Sequence, residues 1–237
     1  MVDRKRHIEM DVADAIMERP IGFSVGNRSF FIYPATLGKM YLISRQIDEL
    51  SIDKEIININ PYLESIRLCR EKRHIVLQIL AYSTLSSKSD LFNSSLVKKR
   101  IHLFDNKLSD DELATIFVVI LTSDNADSFI RYFGIDKESA ERKRISKIKG
   151  SSGCISFGGT SQYGTLIDFA CQRYGWTLDY VVWGISYTNL RMLMADAVTT
   201  IHLTSDEMKK LGLSNGGEVI DANDPSNRQR IKELLQD

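Results

Sequence analysis

The residues of this chain that come nearest to a chemical motif are Gly153-Cys-Ile-Ser-Phe-Gly158-Gly159-Thr160. They match the phosphate loop G-x-x-x-x-G-K-[ST] at all but one position. Gly159 stands where a lysine must reach the β- and γ-phosphates, and glycine has no charge to offer. No apolar strand precedes the stretch, so it reads as a flexible linker. The histidines His7, His74, His102 and His202 and the cysteines Cys69, Cys154 and Cys171 are scattered, without the spacing that lets three or four ligands converge on a metal. There is no G-x-S-x-G elbow, no H-E-x-x-H pair and no D-x-D-x-D-G loop. Asp168, Asp179 and Asp196 are the only acids between residues 150 and 203, and a carboxylate pair can do acid–base work. Asp179 follows the helix cap Thr177, where the helix dipole favours an anion, and Asp196 lies off the apolar stripe of its helix, so both read as structural. The sequence therefore assigns no catalytic residue, no metal ligand and no cofactor.

Binding chemistry is better represented. Arg67, Arg70, Lys72, Arg73 and His74 form one basic cluster, and residues 142–149 hold five basic residues and no acid. Neither interleaves aromatics with cations as a base-stacking platform does, so both read as solvated helix faces. Beyond residue 150 the aromatics Tyr163, Phe169, Tyr174, Trp176, Tyr180, Trp183 and Tyr187 crowd a short stretch. Trp and Tyr are favoured interface anchors, so Tyr163, Trp176, Tyr180, Trp183 and Tyr187 are the candidate protein-binding residues. The rest of a unit this small must use its aromatics to fill a core.

The elements that would position these groups are mostly helical. Ile21, Phe23 and Val25 alternate, Gly26-Asn27 fits a tight turn, and Phe30, Ile32 and Tyr33 follow, which predicts a β-hairpin over residues 21–33. Pro34 ends the second strand, and Thr36 caps a helix carrying Leu37, Met40, Tyr41, Ile47 and Leu50. Asn60-Pro61 starts a helix running to about Thr84, and another covers Asp90–Phe104. Ser109 and Glu112 make a capping box ahead of the apolar run Leu113–Leu121, and a short helix stops at Gly134. Further helices are expected over Gln162–Arg173, from Thr177 to Ile185, along the stripe Leu190, Leu193, Met194, Ala197 and Ile201, and between the capping box Thr204/Glu207 and Gly212. A last short helix is expected near Asn227–Leu235. The fold class is mainly α with a small N-terminal β-hairpin (α+β), a helical body plus a small helical C-terminal module.

The chain of 237 residues is 43% hydrophobic and 26% charged, with 31 basic and 31 acidic residues, an ordinary globular composition that excludes collagen-like, disulfide-scaffold and wholly disordered classes. Split at Lys149, the zero net charge resolves into 24 basic against 21 acidic residues before the boundary and 7 against 10 after it. That is a mildly basic body and an aromatic module with an acidic tail, which argues against a general nucleic-acid or membrane-surface binder. The expected divisions are residues 1–20 as an N-terminal segment, 21–141 as hairpin plus helical domain, 142–155 as a basic and Gly/Ser linker, 156–212 as the aromatic module, and 213–237 as a polar tail. An odd number of unpatterned cysteines, with neither a secretory leader nor a run of 18 apolar residues, sets the expectation of a cytoplasmic chain.

Two stretches resemble a known family. Ile21-Gly-Phe-Ser-Val-Gly-Asn-Arg-Ser-Phe-Phe-Ile-Tyr-Pro-Ala-Thr-Leu-Gly-Lys39 is similar to the start of the tail assembly chaperones of long-tailed bacteriophages: a hairpin, then a Pro-x-Thr-Leu-Gly step into a helical domain. Tyr163-Gly-Thr-Leu-Ile-Asp168 and Tyr174-Gly-Trp-Thr-Leu-Asp-Tyr-Val-Val-Trp-Gly-Ile-Ser-Tyr-Thr-Asn-Leu190 resemble the C-terminal module of such proteins in phages and prophages of Bacteroides-like hosts. The resemblance implies a non-catalytic phage tail assembly chaperone that works in the host cytoplasm, binding the long helical tape-measure protein and the tail-tube protein; the N-terminal domain is expected to associate with itself or with the tape measure, and the aromatic C-terminal unit to contact tail-tube subunits. It also implies short and long forms made by frameshifting, with the extension starting near residues 142–153. The competing expectation is a nucleic-acid-binding regulator using the basic segments 67–74 and 142–149. An enzyme built on the acids and aromatics between residues 163 and 196 is the third.

Overall fold

The structure is a computed structural model, and it describes residues 2–122, 126–149 and 160–212. Among these residues the chain is mainly α-helical with one two-stranded antiparallel hairpin near the N-terminus, the class expected from the sequence. The order is α1 (Val2–Ile16), β1 (Ile21–Val25), β2 (Arg28–Ile32), α2 (Leu37–Leu50), α3 (Lys54–Ile59), α4 (Pro61–Glu71), α5 (Arg73–Ser83) and α6 (Lys88–Leu91). It continues with α7 (Ser94–Lys107), α8 (Asp110–Thr122), α9 (Ala126–Tyr132), α10 (Ile135–Lys149), α11 (Gln162–Tyr174), α12 (Leu178–Trp183), α13 (Tyr187–Ala195) and α14 (Ser205–Leu211).

Local chemistry explains most of the boundaries. The hairpin pairs Val25 with Arg28 and Phe23 with Phe30 across a two-residue turn. Gly26 takes φ +57 there while Asn27 does not take a positive value, the pattern of a type II′ turn with glycine first. Side-chain oxygens of Thr36, Asn60, Ser161, Thr177 and Ser186 each accept a backbone N–H from the first turn of the helix they precede. Such caps are worth about 1 kcal/mol each. Both capping boxes form: Glu112 accepts from Ser109 N at 2.8 Å, and Glu207 accepts from Thr204 N at 2.8 Å. Gly134 and Gly212 sit in the left-handed region at the two expected helix stops, and Gly175 does so as the C-cap of α11.

Where helices differ from expectation, packing is the reason. The helix expected from Asn60 to Thr84 breaks at Lys72, so that α4 lies along α8 while α5 packs on α2 and α7. Arg73, just past the break, sends its guanidinium to Asp105 and Asp110 and to the carbonyl oxygens of Asp105 and Leu108 at the end of α7. The expected 90–104 helix is the single turn α6 and then α7, restarted by Asn93, which accepts from Leu96 N. The stripe read as far as Ile201 ends at Ala195, with Asp196 as its C-cap. Residues 142–149, placed in a linker by composition, belong to α10, and the segment 1–20 contains α1.

The main core gathers around α5, whose Ile75, Val76, Leu77, Ile79, Leu80 and Ala81 are all buried. A helix apolar on every side is what a central position demands. Leu68 and Cys69 of α4, Phe104 of α7 and Leu113 and Phe117 of α8 surround it. Phe23 and Phe30 close the hairpin over Phe104 at ring separations of 6.1 and 5.1 Å. Burial pushes the Cys69 thiol up to about 12, so it behaves as a small apolar core residue. A second core joins Leu166, Ala170, Val181, Ile185 and Leu190 to Leu37 of α2.

The chain divides into two compact units. Of the described residues, the first contains 2–122, 126–137 and 160–197, so most of the stretch set apart by composition as an aromatic module packs with the helical body. Of the described residues, the second contains 138–149 and 198–212. Within it, Arg144 donates to Leu211 O and Arg142 to Thr199 Oγ1. The loop motif at residues 153–159, the Gly/Ser linker 150–155 and the polar tail from Leu213 with its expected helix near 227–235 lie outside the described residues.

Candidate functional site

Why the aromatic stretch joins the body can be traced to four residues at the start of α2. Thr36 pairs with Ser186 as an isolated antiparallel bridge, and Tyr187 N donates to Ala35 O at 2.7 Å. The N-caps of α2 and α13 are thereby held side by side. Glu18, in the left-handed region at φ +53, accepts from Ser186 N at 2.6 Å and Asn189 Nδ2 at 3.2 Å, placing a carboxylate at the positive end of α13. Leu37 enters the second core. Gly38 lies flat under Trp183, and a Cβ there would fall 2.6 Å from two indole carbons. Gly38→Ala is therefore expected to displace the indole at a cost of about 1–3 kcal/mol, read by urea denaturation and by a change in tryptophan emission. An unchanged midpoint would mean that α2 and α12 are not in this contact.

From this anchorage α12 carries an aromatic run to the surface. Trp183 meets Phe92 edge-on at 5.6 Å, and Tyr180 lies one turn earlier on the same face of the helix. Tyr180 meets Trp176 edge-on at 5.2 Å, Trp176 stacks on Tyr174 at 4.7 Å, and Tyr174 meets Phe169 at 6.1 Å. Tyr180 is 45% exposed, Leu178 and Phe92 are each 60% exposed, and Trp176 and Trp183 are half-buried. Cations flank both ends: Lys88 Nζ sits 5.7 Å from the Trp183 ring centre and donates to Asp179 at 2.6 Å, and the Arg173 guanidinium lies 5.8 Å from the centre of Phe169. Adjacent exposed apolar groups, unlike singly scattered ones, mark interaction surfaces.

Of the five candidate binding residues, the structure brings Trp176, Tyr180 and Trp183 into one neighbourhood. Tyr163 is exposed near the start of α11, outside this run of ring contacts. Tyr187 is half-buried, packed on the second core, and lines a different feature: a cavity of about 470 Å³ bordered by Asp11, Asp14, Arg19, Tyr33 and Ser186. Sequence reading missed Phe92 and Leu178. Phe92 lies far from Trp183 in the chain, and their pairing is a tertiary event; Leu178, beside the cap Thr177, carried a usable signal, since an apolar residue at a short helix's first position has little to pack on.

The other candidates resolve differently. Asp168, Asp179 and Asp196 are all exposed: Asp168 accepts from Gln172, Asp179 pairs with Lys88, and Asp196 caps α13. In the basic segment 67–74, Arg67 pairs with Glu64 and Glu71, and Arg73 pairs with Asp105 and Asp110. In α10, Arg142 pairs with Glu138 and Arg144 with Glu141. Several of the charges expected to face phosphates are thus answered by carboxylates of the chain itself. Among the described residues no group of three His, Cys, Asp or Glu side chains converges as metal ligands would, and no single helix is long and apolar enough to cross a membrane.

No protein-family model matches the chain, and neither a curated protein nor a solved structure is similar to it at a significant level.

Proposed function

We propose that this chain is a non-catalytic assembly chaperone of the phage-tail type, binding helical segments of a tape-measure protein, and tail-tube subunits, in the host cytoplasm. The observation that carries the reading is the run Phe92, Trp183, Tyr180, Trp176, with Leu178 beside it, in which Trp183, Tyr180 and Leu178 lie on α12, whose Trp183 rests on Gly38. Rigid aromatic rings lose little entropy on binding and suit the apolar face of an amphipathic helix presenting anchors at i, i+3, i+4 and i+7. A second support is spatial. The two stretches that carry the family resemblance, 21–39 and 174–190, meet in the fold through Thr36–Ser186, Ala35–Tyr187 and Gly38–Trp183.

Co-expression with the tape-measure chain of the same phage or prophage is expected to raise that chain's soluble yield and to recover both in one complex. Trp176→Ala/Tyr180→Ala is expected to weaken the complex by about thirtyfold or more, the loss of roughly 2 kcal/mol that truncating central aromatic anchors brings. Unchanged tape-measure solubility, together with no co-purification, would sink the proposal.

A further inference from the structure

We infer that the groove between β2 and α7 is a docking site for an extended, acidic segment of a partner protein. The groove encloses about 490 Å³ and is lined by Arg28, Ser29 and Phe30 of β2 and by Leu96, Lys99, Arg100 and Leu103 of α7. Three cations and no acid border it. Among the described residues none of the three forms an ion pair, unlike Arg67, Arg73 and Arg142. Arg100 is half-buried, donates to Thr84 Oγ1 at 3.2 Å and stands 4.9 Å from the centre of the Phe30 ring. The field of Asp90 also reaches it. Its guanidinium is thus held in place and short of water, the condition in which a carboxylate is bound most strongly.

Backbone chemistry points to an extended occupant. The hairpin has only two strands, and the two-residue turn makes Val25–Arg28 and Phe23–Phe30 the hydrogen-bonded pairs. The N–H and C=O groups of Ser29 and Phe31 therefore point away from β1, and among the described residues no other element bonds them. A third strand can add to that edge, with acidic side chains reaching Arg28, Lys99 and Arg100. A nucleic-acid strand is the less favoured occupant because the one aromatic ring in the groove is already taken. Phe30 is covered by Arg100 and packed against Phe23 and Phe104, leaving no face for a base to stack on.

The groove shares no lining residue with the aromatic run, so its test stands apart from that of the chaperone reading. The intact chain would be titrated, with fluorescence anisotropy as readout, against a labelled decapeptide alternating glutamate and valine. Controls are the glutamine–valine decapeptide and a ten-residue oligothymidylate. The glutamate peptide is expected to bind saturably and to weaken with added salt. Arg28 and Lys99 are exposed, so Arg28→Ala/Lys99→Ala keeps the fold, and it is expected to lose about fivefold or more in affinity. Trp176→Ala/Tyr180→Ala is expected to bind the peptide unchanged. Absence of peptide binding, equal binding of the glutamine peptide, or indifference to the Arg28/Lys99 change would each overturn the proposal. So would tighter binding of oligothymidylate with the same dependence on Arg28 and Lys99.

Discussion

Replacing Lys39 with methionine is expected to raise the unfolding free energy by about 3 kcal/mol at pH 7. Lys39 follows Gly38 in the first turn of α2 and is 1% exposed. Its ammonium has no carboxylate partner among the described residues; the ring of Tyr33, 5.6 Å away, is its one cation–π contact. Burial lowers its pKa from 10.5 to about 8. At about 1.4 kcal/mol per pH unit, that displacement is what holding the charge inside costs below pH 8. The sign follows from proton counting. Between about pH 8 and 10.5 the unfolded chain keeps the proton that the folded chain has released, so stability rises with pH across that window and is unaffected by this group below it. Lys39→Met removes both the cost and the rise. Urea midpoints measured from pH 7 to 10.5 check this, and parallel profiles for the two proteins would show that the amine is not buried as described.

Glu64→Ala is expected to act in the opposite direction, destabilising the chain by about 2–3 kcal/mol. The Glu64 carboxylate is fully buried and accepts from Arg67 Nε at 2.8 Å, from Arg67 Nη2 at 2.6 Å and from Asp53 N at 2.8 Å. It ties α4 to the cap of α3, since Asp53 in turn accepts from Glu55 N and Ile56 N. Removing it strands the Asp53 N–H. It also leaves Arg67, 30% exposed, with Glu71 and the Ser51 carbonyl alone. The bonds from Arg67, more than any other influence, hold the Glu64 carboxyl below its usual range. Its contribution is therefore present above the ordinary carboxylate pKa of about 4.3 and is lost as pH falls through the lower folded value. Glu64→Gln, which keeps an acceptor for Asp53 N, is expected to lose less and to lack the acid-side decline. Chemical denaturation at pH 7 and pH 3 separates the two variants.

Both residues show where reading along the chain stops. Lys39 and Glu64 have the residue types of solvated surface, and nothing in their residue type marks them as buried, yet they are 1% and 0% exposed. Helix boundaries were legible where they depend on a few adjacent atoms. Ser109 with Glu112, Thr204 with Glu207, Asn60 before Pro61, and Gly134, Gly175 and Gly212 all do locally what their chemistry dictates. The break at Lys72 was not legible, because no glycine or proline makes it. The competing demands of α8 on one side and of α2 and α7 on the other do.

The candidate site divides along the same line. Trp176 and Tyr180 were singled out by type and spacing, and the tight Tyr-Gly-Trp turn that brings Trp176 back to Tyr174 depends on Gly175 at φ +66. Phe92 was not, nor was the junction of Thr36, Leu37 and Gly38 with α12 and α13. Composition drew a boundary at the basic run and set the aromatic stretch apart, whereas the fold places residues 160–197 with the body and residues 198–212 with α10. By itself the sequence determined the mainly helical class, the hairpin and the caps, because each rests on interactions spanning a few residues. Which apolar face would be covered, which charges would be enclosed and which rings would stay at the surface were decided only by tertiary structure, because burial is a property of neighbours that chain order does not specify.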